Sequence, residues 1–173
     1  MKSKKHKLLF ILTGLVVLII IIAIIFLTRF FITKKDVNDI MSIEITQSPA
    51  YLDPKFDYLI DFNSNTISLE IKDGNNISAE YYIKTYELDS AYSSKTFSEQ
   101  DKVYFIKKAN LYGMFRWRKL YKHNGYIADG VLITIHINYN DGSRQEICFD
   151  NAFPLTYNKM KKVFSDSFGW DIL

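Results

Sequence analysis

Cys148, His136 and Glu146 are the residues whose types and spacing could do chemistry. A histidine beside a cysteine can draw off the thiol proton, and a carboxylate across from the histidine can orient it. Together they would make a thiolate nucleophile. His136 lies in Val131-Leu132-Ile133-Thr134-Ile135-His136-Ile137-Asn138-Tyr139, the clearest strand pattern in the chain, and Glu146 and Cys148 lie in the segment that follows it. The triad needs more than proximity. A lone cysteine behaves mainly as a small buried hydrophobe, and no Gly-rich loop or oxyanion donor accompanies this one. His6, His123 and His136 are too far apart in sequence for a metal-ligand motif. No GxGxxG, Walker A, nucleophile-elbow or HExxH motif occurs, so the sequence implies no cofactor and no metal.

A second candidate is electrostatic. Seven of the 22 basic residues lie at or before Lys35, so the 15 that remain face all 19 acids and residues 36–173 carry a net charge of −4. That balance argues against a general nucleic-acid binder. The acids crowd into Tyr51 to Asp101, whereas Lys102 to Ala128 contains none. Within the acid-free stretch Arg116, Arg118, Lys119 and Lys122 interleave with Trp117 and Tyr121. A single-sign run can attract anions, and strand alternation alone also sets a core Trp against solvated arginines. If the patch has a ligand, the candidates are an anionic envelope polymer, lipid headgroups or a membrane protein, and no nucleic acid is expected.

The elements that position these residues follow from periodicity. Phe56, Tyr58, Ile60 and Phe62 alternate with Asp57 and Asp61, and Ile67, Leu69 and Ile71 repeat the pattern beyond an Asn63-Ser64-Asn65 turn. Ile43 to Ile45 reads as a short first strand. Ile77 to Leu88 reads as a further strand because aromatic and β-branched residues dominate it, and Ser90 to Ser94 as a polar break. The capping-box spacing of Thr96-Phe97-Ser98-Glu99 predicts a helix beginning near Ser98, with Gly113 closing it. Phe115 to Tyr121 reads as a strand with Arg116 and Arg118 on one face and Trp117 opposite. The Asn140-Asp141-Gly142 turn fixes the last hairpin. A three-residue loop with Gly142 left-handed pairs Ile133 with Phe149, Ile135 with Ile147 and Ile137 with Gln145, whereas a two-residue loop would bury Arg144 and Glu146. The chosen register puts His136, Glu146 and Cys148 on one polar face. A last helix begins after Thr156.

Ahead of this lies Leu8 to Leu27, an apolar run whose roughly 20 residues would span about 30 Å as a helix. It is too long for a signal-peptide core and lacks small residues where a peptidase would cut. Lys2, Lys4, Lys5 and Lys7 precede it, which favours an inside N-terminus. The expected organisation is a cytoplasmic basic tail (1–7), a transmembrane signal anchor (8–27), a juxtamembrane connector (28–42) and an extracytoplasmic domain (43–173). The expected location is the cell membrane, single-pass, with the domain outside.

Trp117, Tyr121, Asp129-Gly130, the strand Val131 to Tyr139, Asp141-Gly142 and Asn151-Ala152-Phe153-Pro154 before a helix form a recurrent pattern. In this the chain resembles uncharacterised small membrane-anchored or lipid-anchored bacterial proteins. It departs from the pattern at Leu132, where a Trp is usual, and at Asp150, where a Gly is usual. The resemblance implies no activity. The expected fold is α+β: an antiparallel sheet, or two small sheets, with two packed helices, preceded by one transmembrane helix. The expected function is a non-enzymatic interaction or sensing domain, and the alternative is a thiol-dependent envelope enzyme using Cys148 and His136.

Overall fold

A computed structural model describes residues 12–25, 36–49, 55–73, 78–85, 90–125 and 130–173. The chain divides into two compact units, Met1–Lys34 and Lys35–Leu173.

In the first unit the described residues form one helix, α1 (12–25), with every side chain exposed. Among the described residues no helix is long and apolar enough to cross a membrane. The transmembrane helix expected over residues 8–27 is therefore corrected, and with it the signal anchor and the single pass read from it. The rest of that run, 8–11 and 26–27, lies outside the described residues, as does the basic tail 1–7.

The second unit opens with a 3-10 turn, Val37–Asp39, closed by a capping box between Asp36 and Asp39. Strand β1 (Ile40–Pro49) starts three residues before the expected Ile43. It is followed by β2 (Lys55–Asp61) and β3 (Thr66–Lys72). The turn between β2 and β3 is held by the Asp61 carboxylate, which accepts from the backbone N–H of Asn63 at 2.8 Å and of Ser64 at 3.2 Å. Pairing of Tyr58 with Leu69 and of Ile60 with Ile67 sets the expected apolar face of this hairpin.

The next segment differs from expectation. Residues Ala79–Thr85 form a helix, α2, where a strand was expected over Ile77 to Leu88. Capping explains it: the Asp73 carboxylate accepts from Ala79 N–H at 2.7 Å, and Ser78 Oγ accepts from Tyr81 N–H at 3.2 Å. Local caps of this kind outweigh the modest β preference of tyrosine and isoleucine. The fourth strand is β4 (Tyr92–Thr96), drawn from the stretch read as a polar break. It pairs with β3 alone, at the margin of the sheet, where polar residues suffice.

Helix α3 (Glu99–Leu111) starts where expected, but its capping box is formed by Ser98 and Asp101 rather than by Thr96 and Glu99. Gly113 follows it at φ 72, the left-handed conformation that glycine tolerates. A 3-10 turn (Met114–Arg116) comes next, and only then β5 (Leu120–Lys122). The strand expected over Phe115 to Tyr121 is thus mostly turn. Strands β6 (Val131–Tyr139) and β7 (Arg144–Asp150) form the last hairpin. Its register is the expected one: Ile133 pairs with Phe149, Ile135 with Ile147 and Ile137 with Gln145, and Gly142 sits at φ 81. Helix α4 (Tyr157–Phe168) follows.

All seven strands lie in one sheet, in the order β4-β3-β2-β1-β6-β7-β5. The sheet is mixed rather than antiparallel, because β5 runs parallel to β7. Helices α3 and α4 pack together, Phe105 against Phe164 at 4.9 Å and against Phe168 at 5.1 Å between ring centroids. Their apolar sides join the sheet residues Ile43, Ile45, Ile60, Ile67, Ile135, Ile137, Ile147 and Phe149 in one core. Trp117 is buried; its Nε1 donates to Thr156 Oγ1 at 3.1 Å, so Thr156 serves the tryptophan rather than capping α4 with its side chain. Phe149 lies among Trp117, Tyr121, Phe153 and Tyr157, at centroid distances of 5.5 to 5.6 Å.

Ile135 is fully buried and flanked in register by Ile45 and Ile147. Its replacement by Ala is expected to cost about 2–5 kcal/mol of stability in denaturant unfolding. Ile135→Asp is expected to unfold the domain, since it buries an unpartnered charge. Gly130 offers a second test. A Cβ there would lie 2.3 Å from Asn151 Oδ1, the atom that accepts from Val131 N–H at 2.7 Å. Gly130→Ala is expected to cost about 1–3 kcal/mol, and much less in an Asn151→Ala background, where the displaced amide is gone. Equal costs in the two backgrounds would refute the assigned contact.

Candidate functional site

One face of the sheet meets the helices. The other carries the polar halves of the same strands: Ser42, Glu44 and Thr46 on β1, Thr134, His136 and Asn138 on β6, and Arg144, Glu146 and Cys148 on β7. The register sets Glu44 against His136 and His136 against Glu146, so one rung across three strands reads carboxylate, imidazole, carboxylate. The expected pairing of His136 with Glu146 is present, with Nε2 to Oε2 at 3.8 Å. On the other side of the ring, Nδ1 lies 3.8 Å from Glu44 Oε2 and in contact with Arg144 Nη2.

That last contact decides what the histidine can do. A guanidinium has only donors, so in this contact Nδ1 is the acceptor. Arg144 Nη2 also donates to Glu44 Oε2 at 3.0 Å, and Asn138 Nδ2 donates to Glu44 Oε1 at 2.7 Å and to Ser42 Oγ at 2.9 Å. These contacts place His136 within a network of Arg144, Glu44 and Glu146. Cys148 stands one rung along, opposite Thr134 and beside Leu120. It is a half-buried free thiol, and no hydrogen bond joins it to His136. The structure therefore brings Glu146 to His136 and leaves Cys148 outside their contacts. Among the described residues no group of three or more His, Cys, Asp or Glu is placed to hold a metal ion.

The four basic candidates are spread over two elements and a loop. Arg116 belongs to the 3-10 turn, its guanidinium lying over Gly113, where a Cβ would come within 3.2 Å of Nη2. Arg118 is exposed in the link to β5, its backbone N–H donating to the Tyr121 hydroxyl at 3.0 Å. Arg116 and Arg118 do not share one strand face as expected, because the turn interrupts the alternation. Lys119 is 78% exposed and reaches Glu146 Oε1 at 3.6 Å. Lys122 is exposed on β5, in register with Asp150. Sequence reasoning missed Glu44 and Arg144 as partners of His136. Glu44 comes from a strand some ninety residues earlier, and no local pattern reveals it.

A second polar knot on the same face joins Asp57, Thr46, Lys72 and Glu70. Asp57 accepts from Thr46 Oγ1 at 2.7 Å and pairs with Lys72 at 2.7 Å, and Lys72 also reaches Glu70 at 3.2 Å. Partial burial raises the Asp57 pKa, but the hydrogen bonds from Lys72 and Thr46 and the nearby lysine charges outweigh it and hold the carboxyl below its ordinary value. A carboxyl lowered in the folded state adds stability above its unfolded pKa and loses it as pH falls through the folded value. Asp57→Asn is expected to cost about 1 kcal/mol at neutral pH. The gap between parent and variant unfolding curves should then close below about pH 4. A gap independent of pH would refute the pairing.

Comparison with protein families, with curated proteins and with solved structures finds no match for this chain.

Proposed function

We propose that Lys35–Leu173 is a non-enzymatic interaction domain that takes a polyanionic partner at the β5 margin of its sheet, through Arg118, Lys119 and Lys122. The observation that carries this is the exposure of those three cations within a few residues at the end of the sheet. Their one charge partner among the described residues is the 3.6 Å contact of Lys119 with Glu146, both half-exposed or more. A loose surface pair of that kind is worth at most about 1 kcal/mol, so an incoming anion can replace it. The acid-free sequence around the cations adds a local positive field to a domain that is acidic as a whole. The non-enzymatic part is supported by the ring nitrogens of His136, both turned to Arg144, Glu44 and Glu146 rather than to the thiol.

Polyphosphate is a suitable probe because it presents closely spaced charges without base or sugar chemistry. The full-length chain is expected to bind it at low salt and to lose binding steeply towards physiological ionic strength, where screening acts over about 8 Å. A double Arg118→Glu, Lys122→Glu variant should keep its melting curve and lose the binding. Parent-like binding by that variant would reduce the patch to solvated side chains. Alkylation of Cys148 tests the other half: a slow thiol at neutral pH is expected, and fast labelling that slows on His136→Gln would point to a working thiolate.

A further inference from the structure

Strand β4 closes one end of the sheet and pairs with β3 alone. Two backbone bonds just beyond it fix which of its groups are used. Ile71 N–H donates to Ala91 O at 2.7 Å, and Phe97 N–H donates to Asn65 O at 3.0 Å. Hydrogen-bonded rungs alternate in an antiparallel pair, so the bonded rungs between those two are Leu69 with Ser93 and Ile67 with Lys95. Tyr92, Ser94 and Thr96 therefore turn their backbone N–H and C=O groups away from β3. Among the described residues one bond reaches these outward groups, from Ser90 Oγ to Tyr92 O, and that carbonyl keeps a second lone pair.

Native sheet edges are commonly blunted by a proline, a bulge or a charge. Tyr92-Ser93-Ser94-Lys95-Thr96 contains no proline, and its register with β3 runs without a shift. Its one charge does not guard the edge. Lys95 lies on the helix-facing side, its ammonium over the Trp170 ring at 4.7 Å from the centroid.

The edge is complementary to itself. Two β4 strands set antiparallel about a two-fold axis at Ser94 bring Ser94 opposite Ser94 and Tyr92 opposite Thr96 of the second copy. On each of these rungs an outward N–H meets an outward C=O in both directions. The exposed Tyr92 gains a β-branched neighbour across the seam, a favourable cross-strand pair. Lys95 falls opposite Ser93, so no like charges meet across the axis. Glu70, in register with Tyr92 on β3, already pairs with Lys72 at 3.2 Å. We infer that β4 is a self-association edge, through which two copies of this chain join their sheets about Ser94. It lies at the opposite end of the sheet from β5 and does not depend on the polyanion site.

Such a pairing is far smaller than the roughly 1,200–2,000 Å2 of stable interfaces, so dimer is expected to grow in between about 10 µM and 1 mM. Sedimentation of the full-length chain over that range reads it. Ser94→Pro removes an outward N–H that β3 does not use, a change an edge strand tolerates. It should keep the melting curve and weaken dimerisation at least about tenfold, as loss of the two central bonds implies. Ser94→Lys sets two like charges opposite each other at the axis and should stay folded and monomeric. Arg118→Glu, Lys122→Glu should dimerise as the parent does. Ser94→Cys in a Cys148→Ser background reads the register. Hydrogen-bonded partners lie about 5.5 Å apart at Cα, within disulfide reach, so mild oxidation should link two copies. Tyr92→Cys should not link, because position 92 of one copy stands four residues along the strands from position 92 of the other, about 13 Å. A chain that stays monomeric up to about 1 mM would overturn the proposal and leave the edge to a strand of another protein. Parent-like dimer in Ser94→Lys would place the association elsewhere and overturn it as well, as would linking through Tyr92→Cys but not through Ser94→Cys.

Discussion

The pairing of β1 with both β2 and β6 is the interaction on which the rest of this fold depends. The chain makes two local sheet pieces, the β2–β3–β4 meander and the β6–β7 hairpin, and neither touches the other through consecutive sequence. Strand β1 lies between them, Ile43 against Ile60 on one side and Ile137 on the other, Ile45 against Tyr58 and Ile135. Ile43 and Ile45 have no exposed surface. Burial of such side chains is worth about 1.5–3 kcal/mol each. More important, they carry the apolar surface across the seam without a break. One continuous apolar face then accepts α3 and α4 as one layer, and the aromatic cluster of Phe62, Phe97, Phe105, Phe164 and Phe168 can close over it.

How much of this the sequence discloses depends on whether the deciding contact is local. The β6–β7 register is legible because one alternative buries Arg144 and Glu146 while the other pairs aliphatic with aliphatic. The start of α3 is legible because its cap is local, although the box forms two residues further on, between Ser98 and Asp101, than the Thr96–Glu99 spacing suggested. Helix α2 is not, since its cap comes from Asp73, six residues upstream of Ala79, across a stretch with no helical signature. Strand β4 is hidden for the opposite reason. A marginal strand needs no apolar alternation, so Tyr92-Ser93-Ser94-Lys95-Thr96 looks like a loop until β3 is there to pair with it. Strand β5 shows the same dependence on distant context: three residues are held parallel to β7, and nothing in Leu120-Tyr121-Lys122 announces a direction. The N-terminal run shows a different failure. Its composition suggested a spanning helix, and among the described residues no helix is long and apolar enough to cross a membrane.

Four contacts hold the C-terminal half together. Trp117 reaches Thr156 at the start of α4, Tyr121 holds the Arg118 backbone, Gly130 leaves room for Asn151, and Asn151 in turn satisfies the first N–H of β6. Trp117 thus joins the turn to α4, Tyr121 braces its own turn, and Gly130, Val131 and Asn151 close the two ends of the hairpin on each other. Phe149 fills the space where they meet.

The two faces of the sheet divide the labour differently from what composition suggests. On the polar face, Glu44, Arg144, His136, Asn138 and Ser42 bind one another across β1, β6 and β7, and Asp57, Thr46, Lys72 and Glu70 do the same across β1, β2 and β3. Each exposed contact is individually weak. Both knots, however, cross β1, so they pin from the solvent side the seam that Ile43 and Ile45 pin from within. A face that neutralises its own charges has little left with which to recognise a charged partner. Charges less tied to that lattice, Lys122 and Arg118, lie at the β5 margin. The centre of the polar face is thus committed to holding the two halves of the sheet together.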